Sequence, residues 1–299
     1  MSKIVVVIIC LLVGGGGHLS KQRPENAAAS LNGYVIYVAL PALILAEIPK
    51  LTLNHEALIP VVAAWVVMFF SAVVTFFTAR WLNWSREITG ALMLLVPLGN
   101  TGFVGIPLIE AHIGSKGIPY AILYDQLGTF IALNQLGVEL AAYYAGGAAS
   151  HRKVLRNILV FHSFIALVLA FLLRFFTYPD WLADALARIS STLVPVVMVA
   201  VGLQWRFKLE STHFLPLLFG LFYILVLSPA FAWLGLWLFD IQGLAAQVVV
   251  LEAAMPAMIS AGVLAISHNL APRFAASMVG YSLLLGLLSV WLWRVLLVH

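Results

Sequence analysis

Long apolar runs separated by short charged loops are the feature that most constrains this chain. A membrane-spanning helix needs about 20 apolar residues, and about ten runs approach or exceed that length. They lie near residues 3–19, 27–46, 57–79, 88–112, 118–147, 157–176, 186–205, 214–239, 244–267 and 274–298. Only 9% of the 299 residues are charged, against about a quarter in soluble domains. We therefore predict an all-α polytopic membrane protein with no separate soluble domain.

The charges in the loops predict the orientation of the chain. Ten of the sixteen Lys and Arg residues fall in alternate loops: Lys21, Arg23, Arg80, Arg86, Arg152, Lys153, Arg156, Arg206, Lys208 and Arg273. The opposite loops are predicted to carry Glu47, Lys50, Glu56, Lys116, Asp180, Asp184 and Asp240. Because basic loops stay in the cytoplasm, both termini are predicted to lie outside a cell inner membrane. We therefore attribute the net charge of +4 to basic loops that set the orientation of the chain in the membrane, and not to nucleic-acid binding.

The first run has the outline of a signal peptide, with Lys3 before an apolar stretch. No small-x-small cleavage site follows, and Gly14 to Gly17 continue the run. We predict a short first helix that is retained, with a cleaved signal as the alternative. The single Cys10 excludes an intramolecular disulfide and offers no thiolate cluster for a metal.

The fourth run contains an unusual cluster of helix-breaking residues. Residues 95–108 read Leu-Val-Pro-Leu-Gly-Asn-Thr-Gly-Phe-Val-Gly-Ile-Pro-Leu, with two prolines and three glycines. An unbroken helix is improbable there. Within a membrane, freed backbone groups are tolerated where they line a cavity, as in many secondary transporters. We predict a functional break, with a proline kink packed against neighbouring helices as the alternative.

A weak internal repeat relates the two halves of the chain. Aligning Pro41 with Pro195 places Gly102 opposite Pro256, so each half interrupts its fourth span at a corresponding place. Five spans per half is an odd number, so the halves would insert in opposite orientations. We predict two inverted five-helix repeats, 1–147 and 157–299, joined by a cytoplasmic linker at 148–156. Paired breaks in inverted repeats indicate a site near the bilayer midplane.

Acidic residues within the spans are candidates for binding a coupling cation, since such residues are costly in a membrane and usually functional. Glu252 precedes Pro256 by one helical turn, and Asp125 shares a helix face with Thr129. We predict that Asp125, Thr129 and Glu252 serve the coupling cation, sodium or a proton. The alternatives are a protonated Glu252 hydrogen-bonded across helices, and an Asp125 at a solvated helix end.

The residues around the breaks are candidates for binding the substrate. A half-helix N-terminus at Asn100 and Thr101 would favour an organic anion, while capping of the helix end is their alternative role. The predicted substrate contacts are Asn100, Thr101, Gly102, Pro107, Pro256 and Ser260. The candidate ligands for a sodium ion, chosen for their hard oxygen atoms, are Asn100, Thr101, Asp125 and Glu252.

Motifs for catalysis are missing from the chain. There is no nucleophile elbow, zinc signature or phosphate-binding loop, so we do not predict an enzyme or a cofactor. His162 is a lone histidine, and His18 and His112 make no convincing pair with it for a haem. Glu110 and Glu139 are expected near the membrane interfaces, and Arg174 at the end of the sixth helix.

Three segments carry a family likeness: Leu-Pro-Ala-Leu at 40–43, Gly-Asn-Thr-Gly-Phe-Val-Gly-Ile-Pro-Leu at 99–108 and Ala-Ala-Met-Pro-Ala at 253–257. Together they resemble the auxin efflux carrier family of membrane transporters, which is related to the bile-acid/sodium symporters. The resemblance implies ten helices in two inverted repeats, with broken fourth and ninth helices that cross. It also implies transport of small organic anions such as auxin, malonate or malate, and, by analogy, a homodimer.

Two departures from the family pattern and one further likeness bear on the site. The cytoplasmic loop is short, at 146–157, and Ser260 stands where family members often have Asn. Glu252 is similar to the sodium-binding glutamate of the bile-acid symporters.

We predict a secondary active transporter of small organic anions, dicarboxylate- or auxin-like, coupled to a cation or proton. The alternatives are a cation/proton exchanger without an organic substrate and a membrane ligand sensor that does not transport.

Overall fold

The computed structural model describes residues 2–16, 24, 26–51, 54–147, 155–156, 158–205 and 213–298, and these residues form helices and no strand. We number the helices in chain order: α1 Ser2–Gly16, α2 Ala27–Lys50, α3 His55–Trp81, α4 Arg86–Leu95, α5 Ile106–His112, α6 118–144, α7 His162–Leu173, α8 Asp180–Gly202, α9 Phe214–Leu238, α10 Leu244–Ala253, α11 Ile259–Ser267 and α12 Pro272–Val298. Each of the ten predicted apolar runs coincides with one helix or with a pair of helices separated by a break. The all-helical prediction is thus confirmed for the described part of the chain.

Among the residues that the structure describes, five helices are long and apolar enough to cross a membrane: α2, α3, α8, α9 and α12. Helices α1, α7 and α10 are shorter apolar helices of 10–17 residues. Helix α6 is longer but irregular, because π-helical turns at Asp125–Thr129 and Leu133–Gly137 interrupt it. Such turns occur often at functional sites.

The start of α8 differs from the sequence prediction. The helix begins at Asp180, so Asp180 and Asp184 lie in its first turns and not in a loop as predicted. Pro179 precedes the helix, and an acidic residue in the first turn is favourable next to the positive helix N-terminus. No residue of Asp180–Ser190 is buried, which explains why this polar stretch does not read as an apolar run.

The helices form two groups. In the first group, α1, α2, α7 and α8 pack mainly on one another. The contact between α1 and α8 is close because it is made by glycines: a Cβ atom on Gly14 would lie 3.0 Å from the Cα of Gly202. Small residues allow helix backbones to approach in a membrane, where packing replaces the hydrophobic driving force.

The second group contains α3 to α6 and α9 to α12. Two hydrogen bonds join α3 to α9, one between the hydroxyls of Ser71 and Ser228 at 2.9 Å and one between those of Thr78 and Tyr223 at 2.7 Å. This group contains both breaks, which separate α4 from α5 and α10 from α11.

Candidate functional site

The two breaks face each other and pair through their backbones. The Asn100 amide donates to the Pro256 carbonyl at 2.7 Å, and the Met258 amide donates to the Leu98 carbonyl at 2.9 Å. Gly99 and Ala257 form an isolated antiparallel bridge between these bonds. Backbone groups freed by the breaks thus satisfy one another, as a low-dielectric interior requires.

The first break lies slightly earlier than the sequence predicted. It spans 96–100 and contains Pro97. Gly102 lies in the π-helical turn Thr101–Gly105 that follows, and Pro107 is the second residue of α5. Pro107, which the sequence analysis includes in the helix-breaking cluster, therefore lies outside the break, within the continuous helical stretch 101–112. Pro256, by contrast, lies within the second break and packs on Gly286 of α12.

Two glycines of the turn Thr101–Gly105 let two acidic side chains approach its backbone. A Cβ atom on Gly102 would lie 2.9 Å from Oδ2 of Asp125. A Cβ atom on Gly105 would lie 2.8 Å from Cδ of Glu252. No larger residue fits either position without displacing a carboxyl group, so one short turn holds both acids.

Asp125 is buried and well supplied with hydrogen-bond donors. The hydroxyl of Thr101 donates to its Oδ1 at 2.6 Å, and Nε2 of Gln126 donates to its Oδ2 at 2.7 Å. The backbone amide of Gly102 also donates to this carboxyl group. Donors of this kind stabilise a carboxylate in a low-dielectric site. The alternative raised from the sequence, that Asp125 lies at a solvated helix end, does not hold, because this residue is 4% exposed.

Glu252 is also buried, but its surroundings are different. It is 1% exposed, and neither carboxyl oxygen has a hydrogen-bond partner among the residues that the structure describes. The alternative raised from the sequence, a hydrogen bond from Glu252 to a neighbouring helix, is therefore not observed among these residues. Asp125 lies close enough to interact with it electrostatically. A buried carboxyl group without partners is costly unless it binds a proton or a cation.

A small cavity adjoins Glu252. Its volume is about 10 Å³, close to the minimum that holds one water molecule. The residues with polar side chains in its lining are Ser71, Thr101, Tyr124, Thr129, Ser228 and Glu252. The Thr129 hydroxyl and both Glu252 oxygens lack partners in the described structure. These hard oxygen atoms are the ligand type that small cations such as sodium prefer, so the residues present fit such an ion.

A larger cavity of about 190 Å³ lies beside Asp125. Its polar lining consists of Asn100, Gly102, Asp125, Gln126, Asn134 and Ser260. Its apolar lining consists of Ile36, Leu40, Phe103, Phe130, Leu133, Phe161 and Met258. Among the described residues that form its walls there is no Lys, Arg or His. It lies between the two helix groups, because α2 and the segment before α7 contribute to its wall.

The predicted site residues divide between these two cavities. Asn100, Gly102, Asp125 and Ser260 line the larger cavity, and Thr101, Thr129 and Glu252 line the smaller one. Pro107 and Pro256 are not among the residues that form either wall. Asp125 and Thr129 lie in one π-helical turn, but Asp125 lines the larger cavity and Thr129 the smaller one.

The side chain of Asn100 does not cap the helix that follows it. Its Nδ2 atom is buried and has no partner in the described part of the chain. The backbone carbonyl of Asn100 accepts hydrogen bonds from the backbone amides of Val104 and Gly105 at 3.2 and 3.0 Å. Asn100 is among the residues that line the larger cavity, so this buried donor without a described partner lies close to it.

Five residues of the site with polar side chains were not predicted from the sequence. They are Ser71, Tyr124, Gln126, Asn134 and Ser228. Single serines and amides are common in apolar helices and carry no motif. The proximity of Gln126 to Asp125 is the one signal that could have identified it.

Other predicted residues lie away from the site. Lys3 forms an ion pair with Glu110 at 2.8 Å, and Arg174 donates to the Leu51 carbonyl at 3.4 Å. The ring of His162 packs edge-on against Tyr37, with 4.8 Å between the ring centroids. No group of three or more His, Cys, Asp or Glu side chains that could hold a metal ion occurs in the described part of the chain. His18, Lys21, Arg23, Arg152, Lys153, Arg206 and Lys208 lie outside the described residues, as does most of the predicted linker.

Comparison with known proteins gives a match over almost the whole chain. The sequence model of the family described as "Membrane transport protein" matches residues 1–294. An uncharacterized transporter of Methanothermobacter thermautotrophicus is 31% identical over 279 residues, which cover 91% of this chain and 90% of the relative. An uncharacterized transporter of Methanocaldococcus jannaschii is 29% identical over 285 residues, covering 92% of this chain and 91% of the relative.

Proposed function

Because this chain belongs to the membrane transport protein family of the auxin efflux carriers, we propose that it is a secondary active transporter of a small organic anion. It is a multi-pass membrane protein. The observation that carries the proposal is the pair of facing breaks, with a cavity on each side of the turn Thr101–Gly105. Broken helices that place polar groups around a buried cavity are the way many carriers build their sites.

The proposed architecture has ten membrane spans in two inverted repeats, 1–147 and 157–299, with a cytoplasmic linker at 148–156. Facing breaks in α4–α5 and α10–α11, at corresponding places in the two halves, support this arrangement. The basic loops support an inner-membrane orientation with both termini outside. Transport would proceed as the two helix groups move relative to each other and open the larger cavity to each side in turn. A homodimer is proposed only from the family resemblance.

We propose that the smaller cavity holds the coupling cation. Glu252 supplies the negative charge there, and Thr101 and Thr129 supply hydroxyl oxygens. Asp125 contributes to this site indirectly, because it accepts a hydrogen bond from Thr101, which lines the smaller cavity. A sodium ion or a proton on Glu252 would remove the cost of a buried, unpartnered carboxylate. This cost is the reason to expect that transport depends on an ion gradient.

We propose that the larger cavity holds the organic anion. In this proposal the unpartnered Nδ2 of Asn100 donates to the carboxylate, and the phenylalanines provide apolar walls. A dicarboxylate is usually held by arginine or lysine, and neither lines this cavity among the described residues. These features favour a monocarboxylate with an apolar body, auxin-like, over a dicarboxylate such as malonate or malate.

The second candidate function is cation/proton exchange without an organic substrate. The smaller cavity favours it, because Glu252 and its hydroxyl neighbours would suffice to bind and release an ion. The larger cavity with its apolar walls is then without a role, which is why we place this candidate second.

Uptake into proteoliposomes tests the proposal. Labelled indole-3-acetate, phenylacetate, malonate and malate would each be supplied with a sodium gradient, a proton gradient and no gradient. We expect saturable uptake of a monocarboxylate that one of the gradients stimulates. Ion flux without uptake of any acid would support the exchanger, and the absence of both fluxes would contradict transport by this chain.

A further inference from the structure

A surface cavity of about 340 Å³ lies at the C-terminal end of α9, and we call it the α9 cavity. Its wall is formed by the last turns of α9, the loop 239–243, the first half of α10 and the end of α12. It shares no lining residue with the two cavities at the breaks. Because α9 is long and apolar enough to cross a membrane, its end lies at the level of the lipid headgroups.

Two tryptophans provide the aromatic part of this wall. Trp233 and Trp237 lie one turn apart on α9, at i and i+4, so they share one face of the helix. Trp233 is 46% exposed and Trp237 is 66% exposed, which leaves both indole rings accessible to a ligand. The face of an indole ring attracts an ammonium group, and a pair of aromatic residues is a common way to hold a methylated one.

Asp240 supplies a negative charge to the same cavity. Its Oδ1 accepts a hydrogen bond from Nε2 of Gln242 at 2.9 Å. It forms no ion pair with any residue that the structure describes. Among the described residues that line the α9 cavity there is no Lys, Arg or His. One carboxylate beside two indole rings, with no cation of its own, suits a ligand that carries an ammonium group.

A positive charge lies behind another part of the wall, at Gln247. Its Oε1 accepts a hydrogen bond from Nη1 of Arg294 at 3.3 Å, and Arg294 does not itself line the cavity. With its oxygen bonded to a guanidinium group, the Gln247 amide has its nitrogen left to donate to an anion. The α9 cavity thus matches a zwitterion that contains both an ammonium group and an anionic group.

An apolar groove of about 490 Å³ between α3 and α9 adjoins the α9 cavity. Leu236 and Ile241 line both of them. Of the described residues that line the groove, only His55 has a polar side chain. Such a wall suits the acyl chain of a lipid, for which a soluble zwitterion has no counterpart.

We propose that the end of α9 is a binding site for a phospholipid with an ammonium headgroup, ethanolamine or choline. The ammonium group lies between the two indole rings and Asp240, the phosphate lies on the side of Gln247, and one acyl chain occupies the groove. This site lies apart from the proposed transport site, and the inference does not depend on what the protein transports.

Native mass spectrometry of the purified full-length protein tests this assignment. The protein in detergent would be mixed with equal amounts of dioleoyl-phosphatidylethanolamine and dioleoyl-phosphatidylglycerol, and the two lipids retained would be counted. The second lipid has the same acyl chains and phosphate but no ammonium group. We expect the wild-type protein to retain the ethanolamine lipid about fivefold or more over the glycerol lipid.

Two variants test whether the α9 cavity causes that preference. Asp240→Asn removes the charge and Trp237→Leu removes one indole ring, so each should bring the ratio toward one. Asp184→Asn and Trp181→Leu are the matched controls, because both residues are exposed on α8 and neither lines the cavity. These controls should keep the wild-type ratio. A ratio of two lipids on one preparation is insensitive to the amount of folded protein.

Three results would overturn the proposal. The first is equal retention of the two lipids by the wild-type protein. The second is a wild-type ratio that survives in Asp240→Asn and in Trp237→Leu; should the tryptophan variant fail to fold, Asp240→Asn at its exposed position decides alone. The third is displacement of the ethanolamine lipid by free O-phosphoethanolamine, which would show that the site takes a soluble zwitterion. Failure of transport by the protein would leave this lipid site untouched.

Discussion

At the residue scale, the two buried acids have different surroundings and therefore different predicted roles. Asp125 receives hydrogen bonds from Thr101, Gln126 and Gly102, so the protein itself stabilises its carboxylate. Glu252 has no such donors among the described residues, although it is as deeply buried. A group that the protein leaves unpaired is the better candidate for a ligand that comes and goes.

Replacing Glu252 with glutamine should abolish the ion dependence of transport. The neutral amide keeps the size of the side chain but carries no charge for a cation and no site for a proton. We expect gradient-stimulated uptake to fall to the level seen without a gradient. The thermal stability of the purified protein should not fall, because no described partner is lost.

Glu110→Gln is the matched control for this variant. Glu110 is partly exposed and pairs with Lys3, and such pairs contribute about 0–1 kcal/mol. Ion dependence should persist in it. Full ion-coupled uptake by Glu252→Gln would show that the coupling site lies elsewhere.

Replacing Gly105 with alanine should damage the site through a steric effect. The added methyl group would meet the carboxyl group of Glu252, with Cδ at 2.8 Å. Overpacking of a well-packed interior costs about 1–3 kcal/mol. We expect a lower unfolding temperature and weaker ion-stimulated uptake, measured on the same preparation.

Gly33→Ala is the control for this substitution, since no atom lies within 4 Å of a Cβ at that position of α2. It should leave uptake unchanged, and an alanine within a helix is stabilising by about 0.5–1 kcal/mol. If Gly105→Ala has the same unfolding temperature and the same ion-stimulated uptake as Gly33→Ala, then neither stability nor transport requires the close approach of Glu252 to this turn.

Single residues were only partly predictable from the sequence. Glu252, Asp125 and Asn100 were predicted because polar groups in apolar runs are expensive. Gln126 was missed, since its importance comes from a hydrogen bond that only the folded chain reveals. The division of Asp125 and Thr129 between two cavities was also missed, because it depends on how distant parts of the chain pack around them.

At the element scale, the proline and glycine cluster correctly predicted a break between α4 and α5. The sequence placed it near Gly102, whereas the structure places it at 96–100. The position of the break along the chain depends on its pairing with the second break. Asn100 bonds to Pro256 there, and Leu98 bonds to Met258, so distant parts of the chain fix the boundary. No local pattern encodes such a contact, so the element was predictable and its boundary was not.

The glycine contact between α1 and α8 gives a test at this scale. A side chain on Gly202 would meet the backbone of α1, with the Gly15 amide nitrogen 2.8 Å from the added Cβ. Backbone cannot move aside as a flexible side chain can, so Gly202→Val should displace α1. We expect a marked loss of thermal stability and easier proteolysis near the N-terminus.

Gly16→Val tests whether any valine near this contact has the same effect. A Cβ on Gly16 has no atom within 4 Å, so this variant should resemble the wild-type protein. An unchanged unfolding temperature in Gly202→Val would mean that α1 is not a packed part of the mature fold. That result would favour the signal-peptide alternative.

At the scale of the whole molecule, the account depends on two helix groups that move relative to each other. One group contains α1, α2, α7 and α8, and the other contains both breaks. The larger cavity lies where they meet, with Ile36 and Leu40 of α2 facing Asn100 and Gln126. A ligand at such a boundary is exposed to one side or the other when the groups shift, which is the requirement for alternating access.

The most direct test of this account is the accessibility of Ser260, which lines the larger cavity. Cys10 is the only cysteine, so Cys10→Ser combined with Ser260→Cys leaves one thiol to follow. Membrane-impermeant maleimide would be applied from inside or outside proteoliposomes of uniform orientation, with and without the transported acid and its coupling cation. We predict labelling from both sides, in a ratio that the acid and cation change. Labelling from one side only, unaffected by either ligand, would contradict alternating access at the paired breaks.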